Sequence, residues 1–178
     1  MKAIFIDIDG CLNHQHDKGD WTQEERFGLA PDLVANLQTA LDTVPDAQLV
    51  ISSSWRYYHD NMGIGDIQGD WHDWLAQKLG VPRERIEDAP TLHEFSSAGF
   101  GAKGRAHDIL LWLSEHGEGD PYVVIDDECK EMNKWLRGHV VDCSDGGFTA
   151  ERADEAVRIM RTGCTVQASG DGGCPGGC

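Results

Sequence analysis

The chain has 178 residues, 40% of them hydrophobic and 26% charged, with a formal net charge of −16. That length and balance suit one soluble domain with a real core. They exclude a membrane-spanning helix, because no run of about 18 apolar residues occurs, and a protein that coats nucleic acid electrostatically. A grip on a single phosphate terminus, through a metal and a few cations, stays open. The first residues lack the basic region, apolar core and cleavage site of a signal peptide, so the expected compartment is the cytoplasm.

The chain opens on a predicted strand over residues 2–7. Ala3, Ile4 and Phe5 form a short apolar run of the kind a buried parallel sheet uses. It leads directly into Asp7-Ile8-Asp9-Gly10. Residues two apart on a strand point to the same side, so Asp7 and Asp9 are expected to converge. Two carboxylates that close repel one another unless a cation lies between them. Mg²⁺, a hard ion that takes oxygen ligands, suits that place. Alone, the tetrapeptide reads equally as a turn; the segments downstream separate the two readings.

A helix follows, with Pro31 in its first turn and Leu33, Leu37 and Leu41 as its apolar stripe. The second predicted strand, 47–52, runs into Ser52-Ser53-Ser54-Trp55-Arg56. Hydroxyls and turn N–H groups at a strand end cradle phosphate, and arginine grips phosphate oxygens in pairs. Ser53, Ser54 and Arg56 are therefore candidate phosphate contacts. Trp71, Trp74, Leu75 and Leu79 mark a second helix, ended by Gly80, and a weak third strand falls at 85–87.

Gly101-Ala102-Lys103-Gly104-Arg105 opens the third helix, read over 104–116 with Ala106, Ile109, Leu110 and Leu113 inward and Gly117 as its stop. Lys103 is a candidate point charge for phosphoryl oxygens. The fourth strand, 122–126, ends in Asp126-Asp127-Glu128, a second acidic strand end that would complete an oxygen site for Mg²⁺. Met132, Trp135 and Leu136 mark a fourth helix, ended by Gly138; residues 139–142 read as a fifth strand. Thr149 is a candidate cap for a last helix with Ala153, Ala156, Val157 and Met160 on its inner face.

Strands alternating with helices predict a doubly wound, three-layer α/β fold around a parallel sheet of about five strands. The expected domain covers residues 1–162. Residues 163–178 carry too little apolar matter to fold alone and read as a flexible Gly/Cys-rich tail. Its Cys164, Cys174 and Cys178 match zinc spacing poorly.

The four chemistry-bearing segments together resemble the haloacid dehalogenase (HAD) superfamily of phosphatases over residues 1–161. The resemblance implies the HAD-like Rossmannoid fold and a Mg²⁺-dependent phosphomonoesterase. It implies Asp7 as nucleophile, Asp9 as general acid and base, Ser53 as phosphate-binding hydroxyl and Lys103 as charge stabiliser. The metal would be held by Asp7, Asp9, Asp126 and Asp127. Ser52 and Ser53 both stay open for the phosphate; members of the family with a tryptophan here usually carry the hydroxyl two residues before it, and the resemblance therefore implies Ser53. Ser-Ser-Ser-Trp-Arg, Asp88-Ala89-Pro90-Thr91-Leu92, Lys103-Gly104-Arg105 and Ile125-Asp126-Asp127 are similar to the HAD domains of nucleic-acid repair proteins. They are also similar to the 3′-phosphatase domain of polynucleotide kinase–phosphatases. No kinase P-loop is present, so only the phosphatase half is implied. Cys11 stands where Thr or Val is usual and should still pack.

The expected partner is a phosphorylated nucleic-acid end; a free nucleotide (nucleotidase activity) or another small phosphate ester is the alternative. A phosphate binder without turnover is a third reading, against which the aspartate pair argues. Residues 13–30 and 57–84 are too short for full cap domains, which leaves an open site suited to a large substrate. The first holds His14, His16, Lys18, Trp21 and Arg26, the histidines reading as exposed loop residues rather than ligands. In the second, Tyr57, Tyr58, Trp71 and Trp74 are candidate base-stacking rings, with Trp71 and Trp74 reading as core.

Overall fold

The computed structural model describes residues 1–13, 28–57, 70–90, 102–117 and 119–163. Five strands, β1 (Lys2–Ile6), β2 (Ala47–Ile51), β3 (Ile86–Asp88), β4 (Tyr122–Asp126) and β5 (Val140–Asp142), form one sheet in the order β3-β2-β1-β4-β5. Every pairing is parallel. Helices α1 (Pro31–Thr43), α2 (Trp71–Leu79), α3 (Ala102–His116), α4 (Cys129–Met132) and α5 (Ala150–Thr162) connect and cover them.

Period-two alternation divides the core into two layers. Ile4, Ile6, Leu49, Ile51, Val123 and Ile125 pack with α1, α2 and α5 on one face. Ala3, Phe5, Val50 and Val124 face Ala106, Ile109, Trp112 and Leu113 of α3 on the other. Buried on both faces, the central strands are continuous apolar runs. The chain is therefore a three-layer, doubly wound α/β domain.

Helix boundaries follow local chemistry. Pro31 opens α1. The Asp70 carboxylate accepts from the His72 and Asp73 N–H groups at the start of α2, and Gly80 closes that helix in the left-handed region at φ 64°. Trp71 is buried and stacks on half-buried Trp74 at 5.7 Å, with Trp55 close to both. These rings are core.

Three expectations are corrected. On α3 the fourth inward residue is Trp112, while Leu110 is 39% exposed, because the buried stripe runs through 105, 109 and 112 rather than 110. Regular helix after β4 stops at Met132; turns carry the chain on, burying Leu136 and leaving Trp135 44% exposed. Thr149 occupies the cap position of α5 but makes no side-chain cap bond. The tail from Cys164, together with His14, His16, Lys18, Trp21, Arg26 and Tyr58, lies outside the described residues.

From β1 the sheet grows outward through β2 and β3, then the chain crosses back to β4 and β5 on the other side. Strand order reverses there, and the carboxyl ends of β1 and β4 border the crevice in which such sheets hold ligands.

Candidate active site

Asp7 follows β1 immediately, and its N–H still donates to Ile125 O at 2.9 Å. Asp126 is the last residue of β4, one register step beyond the Ile6–Ile125 pair. Sheet registration alone therefore sets Asp7 and Asp126 side by side, and Asp127 follows. Their carboxylate oxygens, one from each, lie within 4.8 Å of one another. Asp7 is 4% exposed and Asp126 is fully buried. Gly10 is required here for two reasons. Its φ of 70° lies in the left-handed region, and a Cβ on it would sit 2.6 Å from Asp127 Oδ2.

The cation inside this cluster is Arg105, from the first turns of α3. Its Nη2 lies 3.3 Å from Asp7 Oδ2, 2.9 Å from Asp126 Oδ1 and 2.8 Å from Glu128 Oε2. Its Nε donates to Asp126 Oδ2 at 3.2 Å. Lys103, two residues earlier, is exposed, with Nζ 5.9 Å from the centroid of the Trp135 ring.

Asp7 Oδ1 accepts from the Ile8 N–H at 2.7 Å, and the carboxylate also bonds the Ser53 side chain. The Ser53 hydroxyl oxygen accepts the Trp55 N–H at 3.3 Å. Ser52 is fully buried as well, and its hydroxyl has no hydrogen-bond partner among the described residues. Ser54 is half-buried at the start of the 3-10 turn Ser54–Tyr57. Asp9 is also half-buried; its Oδ1 accepts from the Asn13 amide at 2.9 Å, while Asn13 Oδ1 accepts the Gly10 N–H at 2.8 Å. Asp9 is therefore held on the loop beside the Asp7–Asp126–Asp127 grouping, of which its carboxylate is not a member. Cys11, behind it, is fully buried.

Arg56 is 4% exposed and ion-pairs with Asp108 of α3. Its Nη1 also donates to the carbonyls of Ile51 and Ser53, at 3.5 and 3.4 Å. It ties the serine segment to α3. Arg105, Asp108 and Asn13 all escape a motif-based reading. Yet Arg105, Asp108, Ile109 and Trp112 share one face at helical spacing, and a charge inside an apolar stripe is itself a signal.

Burial pushes the acids up. Asp126 rises to about 7, desolvation and the Asp7 charge outweighing Arg105. Asp127 rises to about 6, by desolvation and then by Asp7. Asp7 is raised as well, chiefly by burial and against the pull of Arg105. For Arg105, burial opposes the charge, but Asp7 and Asp126 overcome it and raise its pKa. The sign of the stability effect follows. Folded values above the ordinary 3.8 give stability present below about pH 4, which is lost as pH rises through about 6 and 7. Thermal unfolding of the metal-free protein is therefore expected to show a falling Tm contribution across that window. Asp127→Asn should flatten it.

The donor set fits a hard divalent cation. It is all oxygen, close-set and short of positive charge, since Asp7, Asp126 and Glu128 share the Arg105 guanidinium and Asp127 lies beside them. A family model described as the HAD domain in Swiss Army Knife RNA repair proteins matches residues 3–153, a span that includes every residue of this site. Comparison with curated proteins and with solved structures gives no match.

Proposed function

Because the chain belongs to the family of HAD domains in Swiss Army Knife RNA repair proteins, we propose that it removes a terminal 3′ phosphate from a polynucleotide. In this reading it is a Mg²⁺-dependent phosphomonoesterase working through an aspartyl-phosphate on Asp7. The observation that carries the proposal is the buried Asp7 carboxylate, set among Asp126, Asp127 and Arg105 at the carboxyl ends of β1 and β4.

Asp7, aligned by the Ile8 N–H and by Ser53, attacks phosphorus as the bond to the ribose oxygen breaks. Asp9, oriented by Asn13, gives that oxygen its proton. Asp9 then takes a proton from the water that attacks the acyl phosphate, so phosphate leaves and Asp7 returns unchanged. Splitting one displacement into two lowers the barrier of each. Asp7, Asp126 and Asp127 would hold Mg²⁺, with Asp9 beside them, and a bound divalent ion supplies charge neutralisation between the anionic substrate and the carboxylates. Arg105 contributes fixed positive charge where equatorial oxygens gather negative charge. Ser53, Ser54 and nearby N–H groups are the phosphate contacts. Arg56, engaged with Asp108 and with the Ser53 carbonyl, supports that segment from beneath. Lys103 stands over the Trp135 ring.

The test is phosphate release with Mg²⁺ from three substrates: a 3′-phosphorylated oligonucleotide, its 5′-phosphorylated counterpart and free mononucleotides. The 3′ end is expected to be fastest. Faster turnover of mononucleotides would move the reading to a nucleotidase.

A further inference from the structure

Among the described residues the exposed large hydrophobics are Met1, Leu110 and Trp135. A lone exposed apolar side chain is ordinary, but the surroundings of Trp135 are not. His107 meets its ring edge-to-face at 4.8 Å, and Lys103 Nζ stands over it at 5.9 Å. Both belong to the first turns of α3, two residues either side of Arg105, which enters the carboxylate cluster from the same helix. Lys103 and His107 each leave α3 about 200° around from Arg105, so the indole stands at the same end of that helix as the arginine that reaches Asp7 but on its other side.

Charge at this place runs against that of the whole chain. Across 129–138, Lys130, Lys134 and Arg137 stand against Glu131 alone, in a protein of net charge −16. All three basic residues are exposed and flank Trp135 in the sequence, Lys134 pairing with Glu131, while Lys103 stands over the ring. A half-exposed indole with a lysine over its ring, in a basic stretch of chain, is complementary to a flat base joined to phosphates: rings stack, and cations meet the backbone.

We propose that Trp135, with Lys103 and His107, is a stacking platform for a nucleobase of the polynucleotide substrate. The platform rests on the polynucleotide reading of the site. It supplies what the buried tryptophans Trp55 and Trp71 cannot, an aromatic face open to solvent.

The test measures binding, not turnover, by fluorescence anisotropy of a labelled 3′-phosphorylated oligonucleotide on the Asp7→Asn protein with Mg²⁺. Adding Trp135→Ala should weaken binding by about 5- to 100-fold, the range of one base stack, and Trp135→Phe should restore most of it. An oligonucleotide with abasic terminal positions should bind weakly to Asp7→Asn and lose nothing further with Trp135→Ala. Equal losses on both oligonucleotides, or no loss on either while Asp7→Asn binds tightly, would overturn the platform and leave the polynucleotide reading standing. No binding of either oligonucleotide, with mononucleotides still hydrolysed by the wild type, would overturn both.

Discussion

Replacing Asp108 by alanine is expected to cost about 3–5 kcal/mol of folding stability, the usual consequence of leaving a buried charge without its partner. The Arg56 and Asp108 side chains are 2% and 3% exposed, so water cannot replace the lost carboxylate. The guanidinium also holds the carbonyls of Ile51 and Ser53, and a loss of its anchor loosens the segment that bears Ser53. The double variant Arg56→Met with Asp108→Leu removes both charges and should regain much of the stability, since apolar replacement of a buried pair is often neutral. It should not regain activity, because the Arg56–Asp108 tie between the serine segment and α3 is then gone. Equilibrium urea unfolding of the single and double variants, beside phosphate release, measures both halves. A loss under about 1 kcal/mol in Asp108→Ala would contradict the buried-pair account.

The largest catalytic effect is expected at Asp7. Asparagine has the same shape and still accepts the Ile8 N–H, but it cannot form an acyl phosphate. Turnover should fall on the order of 10⁴-fold or more, as when other covalent machineries lose a member, with circular dichroism and the cooperativity of unfolding unchanged. Asp9→Asn should cost about 10²- to 10⁴-fold, the contribution of one general acid and base. Loss at Asp7 smaller than loss at Asp9 would argue that water attacks phosphorus directly.

Much of this arrangement is legible in the sequence because parallel sheets hide nothing about their strands. Apolar runs at 2–7, 47–52, 122–126 and 139–142 stand within a residue or two of β1, β2, β4 and β5, and acidic pairs at the ends of two of them point to one crevice. Even the short β3 lies one residue from its expected place. Side chains chosen by helix rotation were harder. Lys103 and Arg105 are two residues apart, which on a helix sends them about 200° apart. Only the position of α3 against the sheet decides that Arg105 meets Asp126 while Lys103 meets Trp135. Trp135 marks a helix in the sequence together with Met132 and Leu136; because regular helix stops at Met132 and turns follow, Trp135 is left outside. Arg105 and Asp108 were readable as charges on a buried stripe, but a strand-end motif draws attention away from the helix that serves it.

The most direct test of the central claim is to look for the phosphoryl group on Asp7. Wild type and Asp9→Asn would be mixed with an oligonucleotide carrying a labelled 3′ phosphate, acid-quenched within the first turnover, and mapped by mass spectrometry. The account predicts label on Asp7 as an acyl phosphate discharged by hydroxylamine. More of it should accumulate in Asp9→Asn, where the base for the second step is missing. Dephosphorylated oligonucleotide and free phosphate appearing in step, with no labelled protein at any time or with the label on another residue, would contradict it.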